Sequence, residues 1–260
     1  MTTKKRKLLG MLTPSSNTAL EPITSAMVSG LDNVSVHFSR FRVTEISLGA
    51  SALGQFDLPK ILDAARLLAD AQVDVIAWNG TSAGWLGFET DEALCRQITE
   101  TTGIPATTSV LALNEILTRT GVTELGLVTP YLEDVQQRIV ANYARMGIRC
   151  TSERHLSLSR NFEFSEVSGE TLSRLVGEVA QSRPQAITTF CTNLHAAPLA
   201  RDLEARTGIP MYDTISTVIW KSMQLAGVDT RELRLGAIVF RRSIRQWATP
   251  SIWSFVTPTS

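Results

Sequence analysis

The 260 residues read as an α/β chain of two similar lobes related by a pseudo-twofold axis, each a mostly parallel sheet flanked by helices. Three observations predict this. Short, almost continuously apolar runs alternate with longer segments whose apolar residues recur at helical spacing, the pattern of strands covered on both faces by helices. Motifs of the first half recur, in the same order, in the second. The polar loops that stand out all follow apolar runs, and open parallel sheets bind ligands beyond the carboxyl ends of their strands.

The strand-type runs, in order, are 7–13, 34–42, 73–78, 125–129, 186–190 and 235–240, each bounded by turn residues. Between them, 58–71, 91–101, 132–145, 168–181 and 196–207 carry the helical period. Such βαβ alternation implies right-handed crossovers between parallel strands.

The repeat is more informative than the element list. Leu9-Gly10-Met11-Leu12-Thr13-Pro14 returns 116 residues later as Leu125-Gly126-Leu127-Val128-Thr129-Pro130, an apolar strand closed by Thr-Pro. Ile76-Ala77-Trp78-Asn79-Gly80-Thr81-Ser82 aligns with Ile187-Thr188-Thr189-Phe190-Cys191-Thr192-Asn193 at an offset of 111. Thr102-Gly103-Ile104-Pro105 returns as Thr207-Gly208-Ile209-Pro210 at 105, each closing a helix and entering a further short strand. The falling offsets need only small deletions in the second copy. Residues 1–117 then form the first lobe and 118–240 the second, with chain near 215–240 able to cross back to the first. The segment 241–260, with Trp247 and Trp253, is a tail outside the repeat. It could cover the cleft, meet another subunit or pack on its own domain. If the lobes face each other, the loops at Pro14, Gly80, Pro130 and Cys191 converge on one cleft.

Composition narrows the class of function. Twenty-five basic and 25 acidic residues balance, which argues against a surface built to neutralise many phosphates, so no nucleic-acid partner is expected. Cys95, Cys150 and Cys191 form no C-x-x-C pair and have no clustered His, so neither a disulfide framework nor a metal site is expected, and a cytoplasmic setting fits. The basic start through Lys7 resembles a signal n-region, but its apolar stretch stops at Thr13-Pro14. No later run approaches the ~18 apolar residues of a membrane span.

Cys191 directly follows an apolar strand. Donors and a dipole from the next helix's N-terminus would favour its thiolate, leaving acid, base and nucleophile as possible roles. Cys95 and Cys150 read as packing residues, and the repeat puts Gly80, not a second Cys, opposite Cys191. Gly80-Thr81-Ser82-Ala83-Gly84 can aim several N–H and O–H donors at a carboxylate or a developing enediolate, or serve as an ordinary helix cap. Tyr131 adds a phenol at the matching strand end. Pro14-Ser15-Ser16-Asn17-Thr18 offers hydroxyl and amide donors, or only a turn. Asn161, beside Arg160, supplies an amide or a solvated surface group. His155 and His195 are the further acid/base candidates, His37 being assigned to a strand. His195, expected on the first turn of the helix after Cys191, raises a Cys–His dyad, but no Asp or Asn is placed to orient it.

Pro14-Ser15-Ser16-Asn17-Thr18, Gly80-Thr81-Ser82, Thr129-Pro130-Tyr131, Asn161-Phe162-Glu163 and Cys191-Thr192-Asn193-Leu194, in this order, resemble the aspartate/glutamate racemase superfamily. The nearest branches are the arylmalonate decarboxylases and the maleate cis-trans isomerases, and the likeness spans about residues 8 to 240. The resemblance implies two α/β lobes around a cofactor-free cleft that takes a small carboxylate, and it makes a homo-oligomer a reasonable expectation. It implies Cys191 as catalytic acid. It also implies Gly80, Thr81, Ser82, Tyr131 and Thr192 around a carboxylate or dioxyanion, with Pro14, Ser15, Asn17 and Asn161 as further substrate contacts. Racemases and isomerases of the superfamily carry one Cys per lobe, whereas the decarboxylases keep only the second and have Gly-Thr-Ser in the first, as here. Asn17, Asn161 and Cys191-Thr192-Asn193 instead match the isomerases. The leading expectation is decarboxylation of a substituted malonate through an enediolate. The alternatives are a maleate isomerase-like or racemase-like enzyme and a non-catalytic carboxylate-binding protein.

Overall fold

The computed structural model describes residues 6–230. The expected strand at 235–240 and the Trp-bearing tail lie outside the described residues.

The first half runs β1 (Lys7–Pro14), α1 (Leu20–Val28), β2 (Val34–Phe41), α2 (Ala50–Leu53), a 3-10 turn (Gly54–Phe56), α3 (Leu58–Asp70), β3 (Val75–Trp78), α4 (Ala83–Leu86), α5 (Phe88–Thr102), β4 (Ala106–Thr108) and α6 (Ser109–Thr120). The second runs β5 (Glu124–Thr129), α7 (Glu133–Arg145), β6 (Arg149–His155), α8 (Asn161–Ser165), α9 (Gly169–Ala180), β7 (Ala186–Thr189), a 3-10 turn (Ala197–Leu199), α10 (Ala200–Thr207), β8 (Met211–Asp213) and α11 (Thr214–Leu225). The strands make two four-stranded sheets, β2-β1-β3-β4 and β6-β5-β7-β8, and all their pairings are parallel. The two sheets therefore share one topology.

Strand register reproduces the sequence repeat. Leu9 pairs with Val75 in the first sheet and Leu125 with Ala186 in the second, while Ile76 pairs with Ala106 and Ile187 with Met211. These partners carry the offsets 116, 111 and 105 read from the motifs. The repeated Thr-Gly-Ile-Pro has a local cause. Gly103 and Gly208 close α5 and α10 at φ 71°, a left-handed conformation that a side chain disfavours.

Of the central strands, β3 and β7 are buried at every residue, as strands covered on both faces require, and β1 and β5 are buried toward their carboxyl ends. One hydrophobic core runs from Leu9 through Ile76 and Leu125 to Phe190 and Met223, so the lobes are packed together rather than hinged on a linker. α11 follows the second sheet in sequence but packs on α6, α1, β3 and β4 of the first.

One expected helix is corrected. Chain 196–207 is not a continuous helix, because Ala197–Leu199 forms a 3-10 turn and α10 starts only at Ala200. Residues 191–196 are loop and turn, so no helix N-terminus faces Cys191 at once.

Candidate active site

The ends of β1, β3, β5 and β7 open on one pocket between the sheets, about 280 Å3 counting its open mouth. Pro14, Gly80, Thr81, Ser82, Tyr131, Asn161, Cys191 and Thr192 line it, so eight of the ten residues that the resemblance implies meet there. Val43, Ile46, Phe56, Trp78 and Trp85 supply apolar walls.

Cys191 is 2% exposed, and the backbone N–H of Asn193 donates to its Sγ at 3.3 Å. Burial pushes the thiol up to about 12, while hydrogen bonds from Tyr131 and the Asn193 and Leu194 backbone oppose the rise and Asp213 adds to it. The expectation of a favoured thiolate is therefore overturned: desolvation outweighs the donors, and the anticipated helix start is absent. At neutral pH Cys191 is a thiol carrying a proton.

The Tyr131 hydroxyl lies 2.6 Å from Thr81 Oγ1 and also reaches Cys191, joining the loop of one lobe to the thiol of the other. Its ring is held edge-on between Trp85 and Phe164, with centroids at 5.3 and 5.5 Å. Burial, followed by the nearby thiol, raises the phenol well above its ordinary value, so Tyr131 stays a donor.

In the same pocket as Cys191, the indole of Trp78 covers Gly80. A Cβ at Gly80 would lie 2.0 Å from the Trp78 ring, an impossible approach, so no side chain fits at position 80 while Trp78 holds its place. Phe41 backs that indole, with ring centroids 5.0 Å apart. Sequence reasoning found the missing thiol but not the ring that fills its space, because the direction of Trp78 is a tertiary fact.

Two expected contacts lie behind the wall. Asn17 is fully buried, and its Nδ2 donates to the Thr192 carbonyl at 3.0 Å and to Thr192 Oγ1 at 3.3 Å. Its Oδ1 accepts from the N–H groups of Ala19 and Leu20 at 3.1 and 2.9 Å. Ser15 exchanges hydrogen bonds with Val43, its Oγ accepting from Val43 N at 3.2 Å. Neither residue lines the pocket. Asn161 does, although its Nδ2 donates to Ser16 Oγ at 2.8 Å and its carbonyl accepts from Asn193 Nδ2 at 2.5 Å. Thr192 Oγ1 donates to the Asn79 carbonyl at 2.8 Å.

The histidines stand apart. His195 is exposed in the turn after Cys191, not on a helix. His155 ends β6 between Glu133 and Glu153, at 3.0 and 3.1 Å, and His37 lies on β2 beside Ser35. Cys95 and Cys150 lie outside the pocket, and burial pushes both thiols to about 12.

Two like-ordered parallel sheets, meeting at a pocket with a thiol on one side and a hydroxyl loop on the other, define the two-lobed α/β class seen in aspartate/glutamate racemase-like proteins. Within it, the arylmalonate decarboxylase family profile matches residues 9–239, and the chain belongs to that family. It is 27% identical to the arylmalonate decarboxylase of Bordetella bronchiseptica over 192 residues, 72% of this chain and 80% of that protein. It is 22% identical to the maleate isomerase of Geobacillus stearothermophilus over 244 residues, 89% and 96% of the two chains. Among solved structures, the maleate isomerase Iso of Pseudomonas putida S16 superposes with a TM-score of 0.84 at 21% identity, over 92% of this chain and 100% of that one. A crystal structure of arylmalonate decarboxylase gives 0.71 at 23%, over 90% and 99%. These two likenesses show the fold.

Proposed function

We propose that the chain is a cofactor-independent decarboxylase of a substituted malonate, with Cys191 as its acid. One observation carries this reading: Cys191 and Gly80 line the same pocket, and the Trp78 ring fills the space that any side chain at position 80 would need. One carboxylate of the substrate takes hydrogen bonds from the Thr81, Ser82 and Tyr131 hydroxyls and from the backbone N–H groups beside them. The other lies against Val43, Ile46 and Phe56, where it loses solvation. Cleavage of its C–C bond releases CO2 and leaves the electron pair on the remaining carbon–carboxylate unit as an enediolate. The donor cluster stabilises the charge that develops there. Cys191 Sγ–H then protonates the α-carbon from one face, and the thiolate regains a proton from solvent. A thiol pushed up to about 12 carries the proton this step needs at neutral pH, and the carbon of the enediolate is basic enough to take it.

The test is incubation of phenylmalonate with the chain in D2O, followed by NMR. The expected outcome is CO2 loss with a single deuterated enantiomer. Racemic product formed at the turnover rate would sink the one-acid mechanism. Cys191→Ala should lower kcat by about 10³-fold or more, within the range for a lost proton donor, whereas Cys95→Ala should not.

A second reading, a maleate isomerase-like activity, is supported by Asn161 in the pocket wall. Interconversion of maleate and fumarate without loss of CO2 would favour it. It requires Cys191 to act as a thiolate, which its burial opposes.

A further inference from the structure

None of the residues lining the Cys191 pocket is Asp, Glu, His, Lys or Arg. A carboxyl nevertheless acts on the thiol from behind the wall, that of Asp213. Strand register puts Asp213, the last residue of β8, beside Thr189, the last of β7, and Cys191 follows two residues on. Asp213 Oδ2 accepts from Thr189 Oγ1 at 2.9 Å, and Thr214 Oγ1 donates to the Thr189 carbonyl at 3.4 Å. The end of the strand that presents Cys191 is thus tied to a carboxyl with no exposure to solvent.

The first lobe is built differently at this place. Thr108 holds the equivalent position, 105 residues earlier and beside Trp78 of β3, and caps α6 by accepting from Leu111 N at 3.0 Å. Asp213 caps α11 in the same way, so capping alone needs only a hydroxyl here. The lobe with Gly80 keeps the hydroxyl, and the lobe with Cys191 has the ionisable group. Asp91, the buried carboxyl hydrogen-bonded to Thr108, is raised to about 7 by burial, but it sits on α5, where the thiol it acts on is Cys95.

The groups around Asp213 leave Cys191 as the one it bears on. β7 has no titratable side chain, and in the loop after it His195 is exposed. α10 directs Glu204 inward, to Met211 N at the opposite end of β8, while its Arg201, Asp202 and Arg206 are exposed. Lys221 of α11 is paired with Glu115 of α6 at 2.6 Å. The Tyr212 phenol, next to Asp213 on β8, is pushed up to about 12 by burial and stays neutral.

We propose that Asp213 is a positioning residue for the protonation step, its charge setting how readily Cys191 gives up its proton. The inference rests on the decarboxylase reading for the use of that proton. As the Sγ–H bond breaks, its electron pair stays on sulfur while the enediolate's pair forms the new C–H bond, so one negative charge passes from the enediolate to Sγ. A neutral Asp213 leaves that transfer unopposed, whereas a carboxylate there repels the arriving charge. With Asp213 titrating near 7, proton delivery is faster below that pH and slower above it. Solvent returns the proton to sulfur, and Asp213, which does not line the pocket, touches none of the reacting atoms.

The experiment pairs two measurements on the full chain between pH 6 and pH 10. One is kcat for CO2 release from phenylmalonate; the other is the rate at which iodoacetamide alkylates Cys191, read by mass spectrometry and independent of turnover. In the unaltered chain kcat should fall by about three- to tenfold through pH 7, the effect of about half to one pK unit on the thiol. Asp213→Asn, which keeps a capping oxygen, should hold kcat at the upper level throughout. The two proteins should be alkylated equally at pH 6, and the variant about three- to tenfold faster at pH 9, because it holds more thiolate. Thr189→Val, close in shape, removes a hydrogen bond that favours the carboxylate and should move the break in both profiles up by about one pH unit. Parallel profiles, or a loss in Asp213→Asn that is the same at every pH, would overturn the inference. So would a break that Thr189→Val leaves in place, which decides the matter should Asp213→Asn fail to fold. The alkylation difference without CO2 release would remove the decarboxylase reading and leave the hold of Asp213 on the thiol standing; CO2 release with parallel profiles would do the reverse.

Discussion

Asp213 ends β8 as a fully buried carboxyl. It accepts from Thr189 Oγ1 at 2.9 Å and caps α11 by accepting from Ile215 N and Ser216 N at 2.8 and 3.3 Å. Burial nevertheless raises it from 3.8 to about 7, the three hydrogen bonds only opposing the rise. The folded chain thus keeps a proton that the unfolded chain releases near 3.8. The associated stability is complete below that pH and is lost as pH climbs through about 7. Asp213→Asn keeps a capping oxygen but removes the titration. Its stability relative to wild type should therefore rise by about 2–3 kcal/mol between pH 5 and pH 8, most of it below pH 7, a gain of roughly 5–10 °C in melting temperature at this chain length. A pH-independent difference in thermal melts would show that the carboxyl does not titrate in that range. Nothing in the sequence marks Asp213, or Asp91, among the 25 acidic residues. Their shifts come from burial, which neighbours in space create. Cys191 was legible because its place after an apolar strand is a local property; the elevation of its thiol was not.

α4 shows how one short element positions the donors of the pocket. Thr81 and Ser82 immediately precede it, and the Gly84 carbonyl accepts from Asn142 Nδ2 of α7 at 2.7 Å. A Cβ at Gly84 would come within 2.5 Å of the Phe190 ring, so this helix approaches the second lobe as closely as only glycine allows. Gly84→Ala should cost about 1–3 kcal/mol by overpacking, read from urea unfolding. Turnover should fall about tenfold as the Thr81-Ser82 loop is pushed off Tyr131; unchanged turnover would uncouple the loop from α4. Among the elements themselves, those with a clear period or an unbroken apolar run were legible. β6 was not, because Arg-Cys-Thr-Ser-Glu-Arg-His is an edge strand of polar, half-exposed residues. α11 was missed for the opposite reason: nine of its twelve residues are buried, and β-branched Thr, Ile and Val obscure the helical signal.

Across the whole molecule, the lobes are joined by a buried polar seam as well as by a common core. Asn17 of the first reaches Thr192 of the second, Asn193 Oδ1 accepts from Thr18 N and Ala19 N at 2.9 and 3.2 Å, and Thr192 returns a bond to Asn79. Asn17→Ala should lower stability by about 1–3 kcal/mol, since it strands buried partners. It should also reduce kcat more than it raises KM, because it acts on the placement of Thr192 and Cys191. A rise in KM alone would return Asn17 to the role of direct substrate contact. The three ordered repeats made the two sheets and the convergence of their loops legible, and the matching register explains why. Which amides would face the cleft and which would weld the lobes was not, since Asn17 and Asn161 look alike in a motif. The indole that fills the space over Gly80 also bears on history. A second thiol gained here by one substitution would force Trp78 out of its place, because the new side chain would collide with its ring. Removing Trp78 first would open a hole costing about 3–5 kcal/mol. Each step is harmful without the other, so any passage between one-thiol and two-thiol descendants of this chain runs through a valley of poorly stable intermediates, and positions 78 and 80 should change together or not at all.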